Sequence, residues 1–171
     1  MVEIRRERDD DIVAIQTVNR LAFRQSAEAD IVEALREGAP NTLSFVATTA
    51  GEVVGHVLFS PVSIQHREGT TEGLGLGPMA VLPGHQSQGI GTRLIEHALA
   101  EVRAASWPYV VVLGHPRYYP RFGFVCASEH GVRCQWESVP DDAFMILLLD
   151  AGRIKPLRGV VRYRPEFGDS L

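Results

Sequence analysis

The stretch Met79-Ala-Val-Leu-Pro-Gly-His-Gln-Ser-Gln-Gly-Ile-Gly-Thr92 decides how this chain is read. Met79 to Leu82 closes a strand, and Pro83-Gly84 turns the chain. Gly89 and Gly91 then open a helix in which Leu94, Ile95, Ala98, Leu99 and Val102 share one stripe. Free N–H groups at a helix start point outward, and the helix dipole adds positive potential there. Glycines at 89 and 91 remove the Cβ atoms that keep a phosphate from approaching. Strand, glycine-rich turn and helix start together make an anion site. The same glycines also permit tight helix–strand packing with no ligand at all.

Two familiar phosphate loops fail on this stretch. Gly84 and Gly89 have P-loop spacing, but Ile90-Gly91 stands where Lys-Ser/Thr is needed, so the lysine and the magnesium-binding hydroxyl of nucleotide hydrolysis are missing. Gly75-Leu-Gly-Pro-Met-Ala80 matches a dinucleotide fingerprint. It runs through Pro78 into strand residues, however, where that fingerprint must lead into a helix.

Gln86-x-x-Gly89-x-Gly91 resembles the coenzyme-A signature Arg/Gln-x-x-Gly-x-Gly/Ala of the GNAT N-acetyltransferase superfamily. It arrives in that family's context, after a strand ending Ala80-Val81-x-Pro83 and before a long helix. Gly77 to Pro83 joined to this signature looks especially like the YhbS-like branch of acetyltransferases. The resemblance continues at Tyr119-x-Arg121-x-Gly123-Phe124, which is similar to the Tyr-x-Lys/Arg-x-Gly-Phe element after strand five, and it covers about two thirds of the chain.

The resemblance implies an α/β fold with a central twisted mixed sheet of six or seven strands, flanked by about four helices. It implies acetyl-CoA as cosubstrate and direct transfer of an acetyl group to a primary amine of a small molecule or peptide in a ternary complex. Met79, Ala80 and Val81 are expected to bind the coenzyme through exposed backbone, the N–H groups of Met79 and Val81 above all. Gln86, Ser87, Gln88, Gly89, Ile90, Gly91 and Thr92 are expected to cradle its pyrophosphate. Tyr119 is the expected catalytic acid, since a neutral phenol with a pKa near 10 can protonate a departing thiolate. Its neighbour Tyr118 takes that role if the turn is wound differently.

The general base is not readable, because Leu76-Gly77-Pro78 offers no side chain where many relatives carry one. Glu28, His85, His115 and a water remain as candidates. His115 also stands where many relatives use an asparagine toward the coenzyme. A coenzyme-A-binding sensor or scaffold without turnover is the alternative function.

The rest of the chain agrees with one compact domain over residues 1–171. Hydrophobic residues make up 45% and charged residues 22%, enough for a core. The net charge of −4 implies no broad basic face, so no nucleic-acid partner is expected. No apolar run reaches membrane-spanning length. With two cysteines and no signal-type opening, reduced thiols and a cytoplasmic location are expected. The histidines lack metal-ligand spacing, so no metal is expected. The oligomer is left as monomer or homodimer.

Periodicity gives the order β-α-α-β-β-β-α-β-α-β-β. It includes a helix after Asp9–Asp11, a hairpin at Ala50-Gly51, a buried strand over Tyr109 to Leu113, a helical turn near Arg117 to Phe122 and a closing edge strand over Gly159 to Tyr163. Residues Glu129 to Asp142 carry the least pattern and, with the first two helices, are expected to hold substrate identity.

Overall fold

The computed structural model describes residues 1–150, 152 and 158–168. The chain divides into two compact units, Met1–Phe59 with Gly77–Glu101, and Ser60–Leu76 with Val102–Leu171.

Unit 1 contains β1 (Val2–Arg6), α1 (Ile12–Phe23), α2 (Ala27–Gly38), β2 (Leu43–Thr49), the first half of β3 (Glu52–His66), the end of β4 (Gly69–Val81) and nearly all of α3 (Ile90–Ala104). β1, β2 and β3 pair antiparallel, with Val2 opposite Thr49 and Leu43 opposite Phe59. The hairpin turn places Ala50 and Gly51 at φ 50° and 84°, the left-handed pair that matches strand twist in a two-residue loop. The three-and-four spacing of α1 and α2 buries Ile15, Val18, Val32 and Leu35, while α3 buries Leu94, Ile95 and Ala98. Asp11 does not cap α1 by its side chain. It accepts from both Arg5 Nη1 and Nη2, at 2.6 and 2.9 Å, and from the Arg8 N–H at 2.8 Å. The Arg5 guanidinium holds its carboxyl below the usual carboxylate range.

A polar chain also crosses unit 1. Asn19 Nδ2 donates to the Ile15 carbonyl and, at 3.1 Å, to His56 Nδ1. An amide nitrogen can only donate, so Nδ1 accepts and the ring proton sits on Nε2. Nε2 donates to Ser44 Oγ at 3.0 Å, Ser44 donates to the Glu7 carboxylate, and Glu7 also accepts from Arg36 Nε at 2.8 Å. His56 is fully buried, and that burial, with the charge of Arg36, pushes its pKa down to about 3.

Unit 2 contains the rest of β3 and β4, followed by β5 (Tyr109–Leu113), β6 (Val125–Cys126), β7 (Val132–Cys134), β8 (Phe144–Leu148) and β9 (Gly159–Arg162). β4 and β5 are parallel from Leu74 opposite Val110 to Leu76 opposite Val112. β8 pairs antiparallel with β5 and with β6. Val62, Ile64, Tyr109, Val111, Ile146 and Val161 lie in its core. Gly73 is required there: a Cβ would stand 2.3 Å from the Tyr109 ring, whose hydroxyl donates to the Thr71 carbonyl at 2.8 Å.

The mixed α/β class holds, and the element boundaries refine it. Nine strands and three α-helices form among the described residues. β6 forms where strand is expected after Phe124, whereas the added strand β7 has three residues, too few for a period to be read. The helical turn expected near Arg117 to Phe122 forms as a 3-10 turn over Tyr119–Phe122, with Pro120 in its first turn, and Gly123 ends it at φ 94°. The closing strand is not an edge: β9 pairs antiparallel with β3 and parallel with β7, because the chain before it supplies a partner that carries little pattern.

Candidate functional site

In unit 1 the turn after β4 is built to present main chain. Pro83–His85 form a 3-10 turn, Ser87 and Gly89 take positive φ of 60° and 78°, and Ser87, Gln88 and Gly89 are exposed. The first backbone bond of α3 runs from the Arg93 N–H to the Gly89 carbonyl at 3.1 Å. The amides of residues 90–92 therefore have no backbone acceptor, as at any helix start. Nothing lies within 4 Å of a Cβ built on Gly89, so its left-handed φ, rather than crowding within the fold, is what demands glycine there.

Ile90 points the other way. It is buried, with its Cγ2 3.5 Å from a Cβ built on Gly55 of β3. The Gly-Ile-Gly run thus alternates a packed anchor with open backbone. Gln86 and Gln88 brace the turn, donating from their side-chain amides to the Val81 and Gly84 carbonyls at 2.9 and 3.1 Å.

The end of β4 leads into this turn with its backbone sorted by side. The Leu82 N–H donates to the Val54 carbonyl at 2.9 Å, and the Ala80 carbonyl faces Gly55. Residues 80 and 82 therefore turn their polar groups toward β3, and strand alternation turns those of Met79 and Val81 away from it. The pairing of β4 with β5 stops at Leu76, just before Pro78, which has no N–H to give a ladder.

In unit 2, Tyr119 sits at the start of the 3-10 turn and is 8% exposed. Its ring packs edge-on against Tyr118 and Phe124, with centroids 5.2 and 5.8 Å away. Gly114 makes room for it, since a Cβ there would lie 2.3 Å from the ring. Burial raises the Tyr119 pKa, so the phenol stays protonated at neutral pH. The hydroxyl makes no hydrogen bond to any described residue and is not among the sealed polar atoms. Tyr118 is half-buried, and the Arg121 guanidinium stands 4.5 Å from the centre of its ring.

These features converge with the comparisons. The family model for the acetyltransferase (GNAT) domain matches residues 3–127. The chain belongs to the GNAT acetyltransferase family. The uncharacterized N-acetyltransferase YhbS of Escherichia coli K12 is 35% identical over 158 residues, covering 92% of this chain and 93% of YhbS. The crystal structure of E. coli YhbS in complex with CoA superposes with a TM-score of 0.89 at 34% identity, covering 97% of this chain and 91% of that one. A GNAT acetyltransferase from Brucella melitensis in complex with acetyl-CoA gives a TM-score of 0.79 at 37% identity, with 98% of each chain covered.

Within this acetyltransferase, the candidate bases fall in three separate places. Glu28, in the first turn of α2, accepts twice from Gln25 Nε2. His85 ends the 3-10 turn of unit 1, and its Nδ1 is buried with no partner among the described residues. His115 is exposed in unit 2 and accepts the Arg117 N–H on Nδ1 at 3.2 Å. Cys126 and Cys134 are free, and burial raises the Cys134 thiol above its ordinary range. Among the described residues no cluster of His, Cys, Asp or Glu is placed to hold a metal, and no helix is long and apolar enough to cross a membrane.

Sequence reading missed Gly114, which seats Tyr119. A lone glycine in a strand pattern is the available signal for such close approach.

Proposed function

We propose that this chain is an acetyl-CoA-dependent N-acetyltransferase that acetylates a primary amine of a small molecule or peptide by direct attack in a ternary complex, with residues 1–171 acting as one domain. The observation that carries the reading is the run Ser87 to Thr92, exposed at Ser87 to Gly89, in which the amides of residues 90–92 have no backbone acceptor and Gly89 leaves the turn open. Such a run fits a pyrophosphate. Both β3 and β4 pass through both units, and each unit is made of two chain segments, which supports a single domain.

Acetyl-CoA supplies the acetyl group and a thiolate leaving group. In this reading the amides of residues 87–92 hold the pyrophosphate, and those of Met79 and Val81 bond the pantetheine arm. One of the latter polarises the thioester carbonyl as negative charge develops on its oxygen. Tyr119 gives its phenolic proton to the sulfur as the carbon–sulfur bond breaks, and the amine loses its proton to Glu28, His85, His115 or water. The raised Tyr119 pKa keeps the proton in place until the sulfur, a developing anion, draws it.

Acetyl-CoA is mixed with a panel of amines, and free thiol is followed over time. Release of thiol with a subset of amines is the expected result. A melting temperature that rises with CoA while no amine releases thiol identifies a binding module instead. No shift with CoA or acetyl-CoA removes both readings.

A further inference from the structure

Unit 2 holds a cavity of about 460 Å³ whose lining, among the described residues, comes entirely from the 132–162 stretch. All of them lie beyond residue 127, where the family match ends, and acetyl transfer as derived above makes no use of them. β7 and β9 run parallel there, with Arg133 opposite Val160. Alternation along β9 puts Arg162 on the same sheet face as Val160. Arg133 and Arg162 are therefore diagonal neighbours on one face, with roughly 8 Å between their Cα positions given a strand spacing of about 4.8 Å and a rise of about 3.3 Å per residue. The segment after β7 adds two acids, Glu137 and Asp141, to the same lining.

These four charges do not pair with one another. Arg162 Nε donates to the neutral Gln65 Oε1 at 3.3 Å, and Asp141 Oδ2 accepts from Ser128 Oγ at 2.8 Å. Arg133 and Glu137 have no hydrogen bond or ion pair among the described residues. Like charges held close on one sheet face repel, and a concave wall focuses their field. A ligand bearing one charge of each sign offers an anion to the two arginines and a cation to the two carboxylates of the lining. The cavity lies within the range of small-molecule sites, roughly 300–1,000 Å³. Trp136 supplies an aromatic wall: it is 6% exposed and packs on Tyr163 with ring centroids 4.8 Å apart and planes tilted by 34°.

We propose that this cavity binds a small zwitterion of the amino-acid type. Its carboxylate lies on Arg133 and Arg162, its ammonium on Glu137 and Asp141, and its side chain against Trp136 and Val139. The site stands independently of acetyl transfer. A free amino acid has the same chemistry whether it serves as acetyl acceptor or as effector.

Calorimetric titration of the full chain with the common L-amino acids tests the site. For each binder, the methyl ester and the N-acetyl derivative are titrated as well. At least one free amino acid binds, and removing either charge weakens it by about tenfold or more. Arg133→Gln and Glu137→Gln each weaken it about tenfold. Both side chains are exposed and without partners, so the fold is not at risk, and the CoA-induced thermal shift stays as in the native chain. Thiol release with the bound amino acid marks an acceptor, and a changed rate on another amine marks an effector. The proposal is overturned if no free amino acid binds at millimolar concentration, if the blocked derivatives bind equally well, or if both variants bind like the native chain.

Discussion

The turn at residues 86–92 in unit 1 and the segment at residues 114–124 in unit 2 use opposite parts of the chain. In the first, side chains are packed away or tied to the turn itself: Ile90 is buried, while Gln86 and Gln88 bond carbonyls. What faces outward is backbone. In the second, Gly114 gives up its own side chain so that the Tyr119 ring can be buried, with its hydroxyl unpartnered among the described residues. A backbone site is indifferent to most of its side chains and sensitive to φ. A side-chain site hangs on one atom.

The largest expected effect follows from that single atom. Tyr119→Phe removes the acid and is expected to lower kcat by about 10²-fold or more, in line with general acid catalysis, with the KM for acetyl-CoA nearly unchanged. Steady-state kinetics on any accepted amine checks this. A kcat like that of the native chain takes Tyr119 out of the mechanism and leaves Tyr118 to be tried. Gly114→Ala should produce a milder version, because its Cβ displaces the ring rather than deleting the hydroxyl.

Acid separates the units in a second way. His56 titrates near 6.5 when unfolded and at about 3 when folded. The unfolded chain therefore binds this proton first, and stability from the buried neutral ring is complete above pH 6.5 and is lost as pH falls toward 3. The loss amounts to a few kcal/mol over that window at about 1.4 kcal/mol per pKa unit. The buried tyrosines of unit 2 stay neutral throughout. Denaturant midpoints measured from pH 7 to pH 4 should fall, and His56→Gln should flatten the slope. An unchanged slope in that variant would show that other groups carry the acid response.

Smaller effects lie within the turn. Gln86→Ala frees the Val81 carbonyl and should weaken coenzyme binding by a few fold, given about 1 kcal/mol for a neutral hydrogen bond. Ser87→Ala leaves every backbone donor in place and should change it by less than about twofold. If Ser87→Ala is the more damaging, the cradle binds through side chains after all.

How much was legible follows the same division. The Gly89-x-Gly91 turn and its helix could be read because a strand end, a left-handed glycine and a helix start are local signals that leave marks within a dozen residues. The strand Tyr109–Leu113 was readable to the residue from its apolar run, and Leu43–Thr49 from β-rich residues before the Ala50-Gly51 turn. β7 was not, because three residues between a 3-10 turn and a loop have no period, and its partner β9 was accordingly taken for an edge. The His56 chain was invisible for another reason. It joins Glu7, Asn19, Arg36, Ser44 and His56 from five separate segments, and only the tertiary fold brings them together. Gly114 is a glycine whose need arises from the Tyr119 ring across a turn, so no spacing announces it.

The central claim is that the 86–92 backbone holds coenzyme A while Tyr119 acts only on the chemistry. Calorimetric titration of CoA into the native chain, Gly89→Ala and Tyr119→Phe tests it most directly. Alanine at φ 78° costs about 1–2 kcal/mol, so Gly89→Ala should weaken CoA by about tenfold while Tyr119→Phe binds it like the native chain. Native-like binding by Gly89→Ala together with a large loss in Tyr119→Phe would contradict the account.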